Sequence, residues 1–330
     1  MKALIYTQPL EMRYLTHDDP SVGPGEALVE IRAAGICGSD MHAFHGHDPR
    51  RKPPLILGHE AAGVSVSGNL AGRPVVINPL ISCGYCEYCG RGRFNLCPNR
   101  TMIGMSRPGT LAERVSVPER NLVPLPDGMN PVHAALTEPT ATALHGLSLA
   151  ARIWTRPLAE AQAAVIGGGS VGLLSALLLK AYGSRGPVLS EPNPLRRETA
   201  ARVGIAGLHD PSVQPLAGDS FDLVVDAVGS SGTRAAALEA ARPGAVVLSI
   251  GLLESGGNVD ARKLTLAELT LVGCYTYTPA DIRAAVGMLA SGALGTLEWV
   301  DARPLAEGPL AFEELDAGQV AAAKVVLTPG

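Results

Sequence analysis

The chain has 330 residues, 46% hydrophobic and 18% charged. That is enough apolar material for large buried cores and too little charge for an unfolded chain; at roughly 150 residues per domain it predicts about two domains. A net charge of -4 offers no broad basic surface, which argues against a nucleic-acid or anionic-membrane binder.

The N-terminus shows no secretory pattern. The longest apolar stretch, around Val171 to Leu179, is interrupted by Gly172 and Ser175 and falls short of the roughly 20 residues a bilayer span needs. A soluble, cytoplasmic protein is expected. Residues 1 to about 140 are crowded with Gly and Pro. Short β-type runs at 27–31 and 73–77 are separated by turn signals such as Val22-Gly23-Pro24-Gly25. This predicts a β-rich, irregular domain, and it holds all the cysteines except Cys274, which reads as a small buried hydrophobe.

Cys37 lies in Gly35-Ile36-Cys37-Gly38-Ser39-Asp40-Met41-His42. Gly58-His59-Glu60 follows, and later Thr137-Glu138-Pro139-Thr140. A thiolate, an imidazole and a carboxylate from separate segments can hold Zn²⁺ and leave one position for substrate. None of these residues is informative alone; their joint presence ahead of a cofactor fold carries the weight.

Between them, Cys83, Cys86, Cys89 and Cys97 fall within fifteen positions, with Gly84, Gly90 and Gly92 supplying backbone freedom. Clustered thiols in a reducing compartment are more often metal ligands than disulfides. Four thiolates close a tetrahedral shell, so such a site is structural. An iron–sulfur cluster and an empty redox loop are the alternatives. Arg91, Arg93 and Arg100 read as solvated charges, because no aromatic stacking series accompanies them.

Near Ala161 the pattern changes to strands alternating with Ala- and Leu-rich helices. Strands are predicted at 163–166, 188–190, 222–225 and 245–250; helices run through Lys180, from near Leu195, and from about Ser231 to Arg242. A helix at 281–291 and a terminal strand at 324–327 complete the chain. Such alternation calls for a parallel sheet covered on both faces. Gly167-Gly168-Gly169-Ser170-Val171-Gly172 follows a strand and opens a helix, the context a dinucleotide fingerprint needs. Gly167 permits the tight turn, Gly169 the approach of the pyrophosphate, and Gly172 close helix–strand packing; the N-terminus at Ser170 and Val171 attracts phosphate. Glu191, at the end of the second strand, accepts from ribose hydroxyls and repels a 2′-phosphate, favouring NAD over NADP. Arg196 and Arg197 stand against this, since either is placed to reach such a phosphate.

With these constellations the chain resembles the zinc-dependent medium-chain alcohol dehydrogenases over nearly its whole length, from Met1-Lys2-Ala3 to Ala311-Phe312-Glu313-Glu314 and Lys324-Val325-Val326-Leu327. It is most similar to the polyol and threonine dehydrogenase branch. The resemblance implies an α/β fold: a doubly wound Rossmann domain (141–284) and a β-rich GroES-like catalytic domain (1–140 and 285–330) with a zinc lobe (83–97). It implies two zinc ions. Cys37 and His59 resemble catalytic-zinc ligands, Glu60 the carboxylate that binds the metal or sits just behind it, and Glu138 the last ligand position, direct or through water. Ser39 and His42 match the family's proton relay, which passes by way of the nicotinamide ribose. Asp226-Ala227-Val228-Gly229 and Ser249-Ile250-Gly251 resemble the turns on the nicotinamide side.

The implied activity is oxidation of a secondary alcohol or polyol to the ketone, with hydride transfer to NAD. An NADP-dependent reductase of aldehydes or ketones is the alternative, and an NAD-binding structural or regulatory protein the non-enzyme one. The resemblance also implies a homo-dimer or homo-tetramer, with an apolar sheet edge near 264–274 as the contact. The pocket is expected to draw on residues 44–57, Met105, Arg107 and 275–278. Two segments depart from the family: 67–74 is short, and 44–54 carries His45, His47, Arg50, Arg51 and Lys52. This basic run reads as a solvated loop or as an attractor for an acidic or phosphorylated substrate.

Overall fold

The computed structural model describes residues 1–184, 186–257 and 259–330. Strand Glu26–Gly35 alternates buried and outward positions, with Ala27, Val29 and Ile31 inside. That period-two pattern makes it the spine of a seven-stranded sheet. Glu60–Ser65 pairs antiparallel on one side, and Lys324–Thr328, arriving from the far end of the chain, on the other. Gly35 stands opposite both Glu60 and Val326. A Cβ there would lie 2.2 Å from Glu60 Oε2, so only glycine leaves room for that carboxylate. Pro74–Ile77 and Leu122–Pro124 extend one edge, and Val300–Pro304 the other.

A second, six-stranded sheet is wholly parallel. Its order runs Gly207–His209, Val188–Ser190, Ala163–Ile166, Phe221–Asp226, Ala241–Ser249, Thr270–Gly273. This is the doubly wound order, whose switch point lies between Ala163–Ile166 and Phe221–Asp226. Val165, Leu223 and Val225 face a core shared with helices Thr137–Ala151, Ser170–Ala181 and Pro279–Ala290. Ala164, Ile166 and Val224 face helix Ser231–Ala240. With both faces covered, the central strands are continuously apolar.

Several element bounds differ from expectation by a few residues, and two of the shifts have a clear cause. The helix expected to reach Arg242 stops at Ala240, and a strand begins at Ala241. Pro243 disfavours helical geometry in the residue before it, which ends the helix early. The helix expected from Asp281 begins at Pro279, because the Thr278 side chain caps the Asp281 N–H. Residues 140 and 284 fall inside helices Thr137–Ala151 and Pro279–Ala290, whose Leu144, Leu147, Ile282 and Leu289 belong to the parallel-sheet core. The first of these helices therefore carries Glu138 at its start and the other domain's core along its body. Thr270–Gly273 is one of the two edge strands, and its Leu271 is exposed. Among the described residues, no helix is long and apolar enough to cross a membrane.

Candidate active site and metal centres

Cys37 is the N-cap of helix Gly38–Phe44, in extended conformation where the chain leaves strand Glu26–Gly35. Its N–H donates to Asp40 Oδ2 at 3.0 Å. Asp40 Oδ1 in turn lies 3.4 Å from His59 Nδ1, an ionic contact without good hydrogen-bond geometry. Gly58, at φ +91°, turns the chain so that His59 faces Cys37. The Cys37 thiol, a His59 ring nitrogen and a Glu60 carboxylate oxygen lie within 4.8 Å of one another. Burial pushes the Asp40 pKa up, but His59 outweighs it, with help from Arg51 and the Cys37 N–H, and holds it at about 2. Burial pushes His59 down, yet Asp40 and Cys37 raise it well above its usual value. A partly exposed thiol and a buried carboxylate beside one imidazole make a donor set that suits a cation such as zinc.

Glu60 is fully buried. Lys324 Nζ donates to its Oε1 at 2.9 Å, lies 2.7 Å from Oε2, and also donates to Ile36 O at 2.8 Å. Glu138 is buried beside this group but outside the three-donor set. Burial lifts its pKa to about 7, Glu60 adding to the rise and His59 and Tyr277 opposing it. Ser39 Oγ is 3.4 Å from His59 Nε2. His42, one helical turn on, is partly buried.

The basic run is not uniformly solvated. Arg50 forks onto Asp48 through Nε and Nη2, at 2.8 and 2.9 Å, and Arg51 is only 3% exposed. Arg107, expected in the pocket, is turned away into an ion pair with Glu26 at 2.7 Å. Arg100 is exposed as expected, and its guanidinium lies 4.7 Å from the Tyr275 ring centroid and donates to its hydroxyl at 3.3 Å. Phe44 is buried in the core against Phe312. Lys324 carries no signal of a role in sequence beyond opening an otherwise largely apolar strand, and Arg51 reads there as part of a loop.

The second thiol group is compact. Cys86–Cys89 and Cys83–Cys97 sulfurs are 3.5 Å apart and Cys83–Cys89 3.9 Å. A tetrahedron of sulfurs about 2.3 Å from a zinc ion has edges of about 3.8 Å. These are ligand spacings rather than disulfide bonds, and all six cysteines are free. The Tyr85 N–H, ahead of the Cys86 N–H and the neighbouring thiols, lowers the Cys83 pKa to about 6, favouring the thiolate that binds metal. Cys274 is buried, its pKa pushed up to about 12 by burial, and belongs to the core.

At the switch point, Gly167 has φ +99°, and a Cβ on Gly172 would lie 1.8 Å from Gly167 O. A Cβ on Gly169 would meet nothing within 4 Å, and no side chain caps the helix that follows it. Ser170 and Val171 form that open N-terminal turn, so a phosphate has both space and unsatisfied N–H groups to meet. Glu191 accepts from Gly168 N–H at 2.6 Å and Asn193 N–H at 2.8 Å. The Arg197 guanidinium is held by Asp210 at 2.7 Å and by the carbonyls of Glu191 and Pro192, whereas the buried Nε of Arg196 has no partner. Asp226 Oδ1 accepts from the N–H groups of Val228 and Gly229, and its carbonyl from those of Ile250 and Gly251. Ala227-Val228 and Ile250-Gly251 are thereby held side by side at the strand ends.

Two family models match: the alcohol dehydrogenase GroES-like domain over residues 23–127 and the zinc-binding dehydrogenase domain over residues 170–291. The chain is 33% identical to L-galactonate-5-dehydrogenase of Escherichia coli K12, over 88% of each chain. It is 30% identical to L-threonine 3-dehydrogenase of Sinorhizobium medicae, over 83% of each. Among solved structures it is similar to a zinc-binding dehydrogenase of Sinorhizobium meliloti 1021 bound to NADP, with TM-score 0.87, 31% identity and 99% of each chain covered.

Proposed function

The chain belongs to the zinc-dependent medium-chain dehydrogenases, in their polyol and threonine branch, and from that premise we propose that it oxidises a secondary alcohol of a polyhydroxylated substrate to the ketone, with NAD as hydride acceptor. The observation that carries the reading is the meeting of Cys37, His59 and Glu60 from separate segments. In this reading Cys37 and His59 hold a catalytic zinc ion, with Glu60 and Glu138 beside them, and the four lobe cysteines hold a structural one. Bound zinc supplies Lewis acidity, and the dinucleotide supplies the hydride acceptor. Ser39 takes the substrate's hydroxyl proton and His42 passes it to solvent.

Glu191 supports NAD, because a carboxylate accepts from ribose hydroxyls and repels a 2′-phosphate. Arg196 and the NADP bound to the S. meliloti relative support the alternative cofactor. The exposed Lys52 at the expected entrance, beside an Arg50 already paired with Asp48, suits an acidic substrate, and the E. coli relative is named for one, L-galactonate. A homo-oligomer would pair through the edge strand Thr270–Gly273.

The test is a screen of zinc-loaded protein against polyols, sugar acids and amino alcohols, with NAD and NADP separately, following absorbance of the reduced cofactor. Turnover of a polyhydroxylated secondary alcohol with NAD is the expected result. Folded, zinc-loaded protein that reduces neither cofactor with any of them overturns the reading.

A pH dependence follows from His42, which must be neutral to accept a proton. Burial, followed by the neighbouring His47 and His45, lowers its pKa. Activity is thus retained as pH falls to about 6.5, the ordinary histidine value, and is lost below it as His42 protonates. His42→Ala should weaken turnover chiefly at lower pH, where solvent base is scarce; an unchanged pH–rate profile would count against the relay.

A further inference from the structure

Arg51 has a side chain buried as deeply as the hydrophobic core, yet it is charged. Its Nε donates to Gly104 O at 3.0 Å. Nη1 donates to Asp48 Oδ2 at 2.8 Å and to Ser39 O at 3.1 Å, and Nη2 donates to Ser39 Oγ at 3.2 Å. One guanidinium thus grips both oxygens of the residue that faces His59. Burying an ion pair is a poor route to stability, so its presence here is not explained by the fold alone. Its placement is explained by what a hydroxyl relay needs.

A serine hydroxyl offers one proton and two lone pairs, and arginine has no acceptor. The Arg51–Ser39 contact therefore has one polarity: Arg51 donates, and Ser39 Oγ gives up one lone pair permanently. What remains, once His59 Nε2 at 3.4 Å is committed to the zinc ion of the proposed reading, is one lone pair and one proton. That is the complement of a group that must accept from one side and donate to the other. We propose that Arg51 is a positioning residue that fixes the Ser39 hydroxyl as a one-way proton carrier. Ser39 Oγ takes the substrate's hydroxyl proton on its free lone pair while its own proton leaves toward His42. The bond to Ser39 O pins the backbone of the same residue, so the hydroxyl rotates about a fixed Cα. The guanidinium charge also stabilises negative charge developing on Oγ during transfer. Asp48 holds Arg51 in place, and Arg50 holds Asp48.

The proposal rests on the dehydrogenase reading, and the two fail differently. If wild-type protein reduces neither cofactor, that reading is at fault; if wild type turns over and Arg51 proves irrelevant, only this proposal is. In Arg51→Met we expect kcat to fall about 10- to 100-fold, a share of what positioned proton transfer contributes. KM and NAD affinity should change little, and zinc content by mass spectrometry should stay at the wild-type value. The solvent deuterium isotope effect on kcat should rise, because proton transfer becomes limiting. Arg51→Lys should recover part of the loss, having charge without the fork. Wild-type kcat and isotope effect in a zinc-replete Arg51→Met protein overturn the proposal. Should that variant fail to fold, Arg51→Lys is combined with Ser39→Ala. A lysine effect that vanishes once Ser39 is gone supports the coupling, and additive losses refute it.

Discussion

Cys37→Ser is expected to lower turnover by a factor of about 10³ or more, while the protein folds and binds NAD as before. The size follows from the chemistry of metal-assisted ionisation, which supplies several kcal/mol, each 1.36 kcal/mol being about tenfold in rate. A serine hydroxyl is not ionised near neutral pH and cannot replace the thiolate as a ligand. The expectation of an intact fold is just as local. Cys37 is the N-cap of helix Gly38–Phe44, and serine is among the preferred N-cap residues. Its side chain is partly exposed, so no core cavity opens. Metal analysis should find one zinc fewer per chain, and fluorescence titration an unchanged NAD affinity. Retained turnover would remove Cys37 from the metal site.

The elements legible in the sequence were those whose chemistry is local. Gly167 to Gly172 announce a phosphate-binding turn because three glycines at fixed offsets are required by one backbone path. The four cysteines of the lobe point to a metal because they lie within fifteen residues of one another, and the fold brings their sulfurs together. In the pocket around Cys37, the side chains of Cys37, His59 and Glu60 meet, and Glu138 is buried beside Glu60 and Tyr277. What could not be read depends on pairings across the chain. Lys324 reaches Glu60 only because the last strand lies beside Glu26–Gly35, 288 residues from Ile36 in sequence. Arg51 looked like its neighbours Arg50 and Lys52, and only the turn of the loop onto Ser39 separates them. Arg100 and Tyr275 lie in the stretches matched by different family models and still find each other. In each case the residue type is unremarkable and the partner is distant.

Lys324→Met should destabilise the protein by about 3–5 kcal/mol, the usual consequence of removing one member of a buried ion pair. Lys324 and Glu60 are 2% and 0% exposed, so no water replaces the lost ammonium. The damage lies in what is left behind: a buried carboxylate, with Glu138 close by, that has lost its cation, and an Ile36 carbonyl without its donor. Denaturant unfolding measures the loss, and the double variant Lys324→Met with Glu60→Gln should recover much of it, since the uncompensated charge is then absent. The same variant separates two roles for Glu60. In the wild-type structure Lys324 engages both of its oxygens, while one of them also lies within 4.8 Å of the Cys37 thiol and a His59 nitrogen. Freed from Lys324, the nearest cation it can meet is a zinc ion on those two residues. Lys324→Met should therefore lose more stability in the metal-free protein than in the zinc-loaded one. Equal losses in the two states would mean that Glu60 does not reach the metal even when released, leaving Cys37 and His59 as its only ligands from this three-donor set.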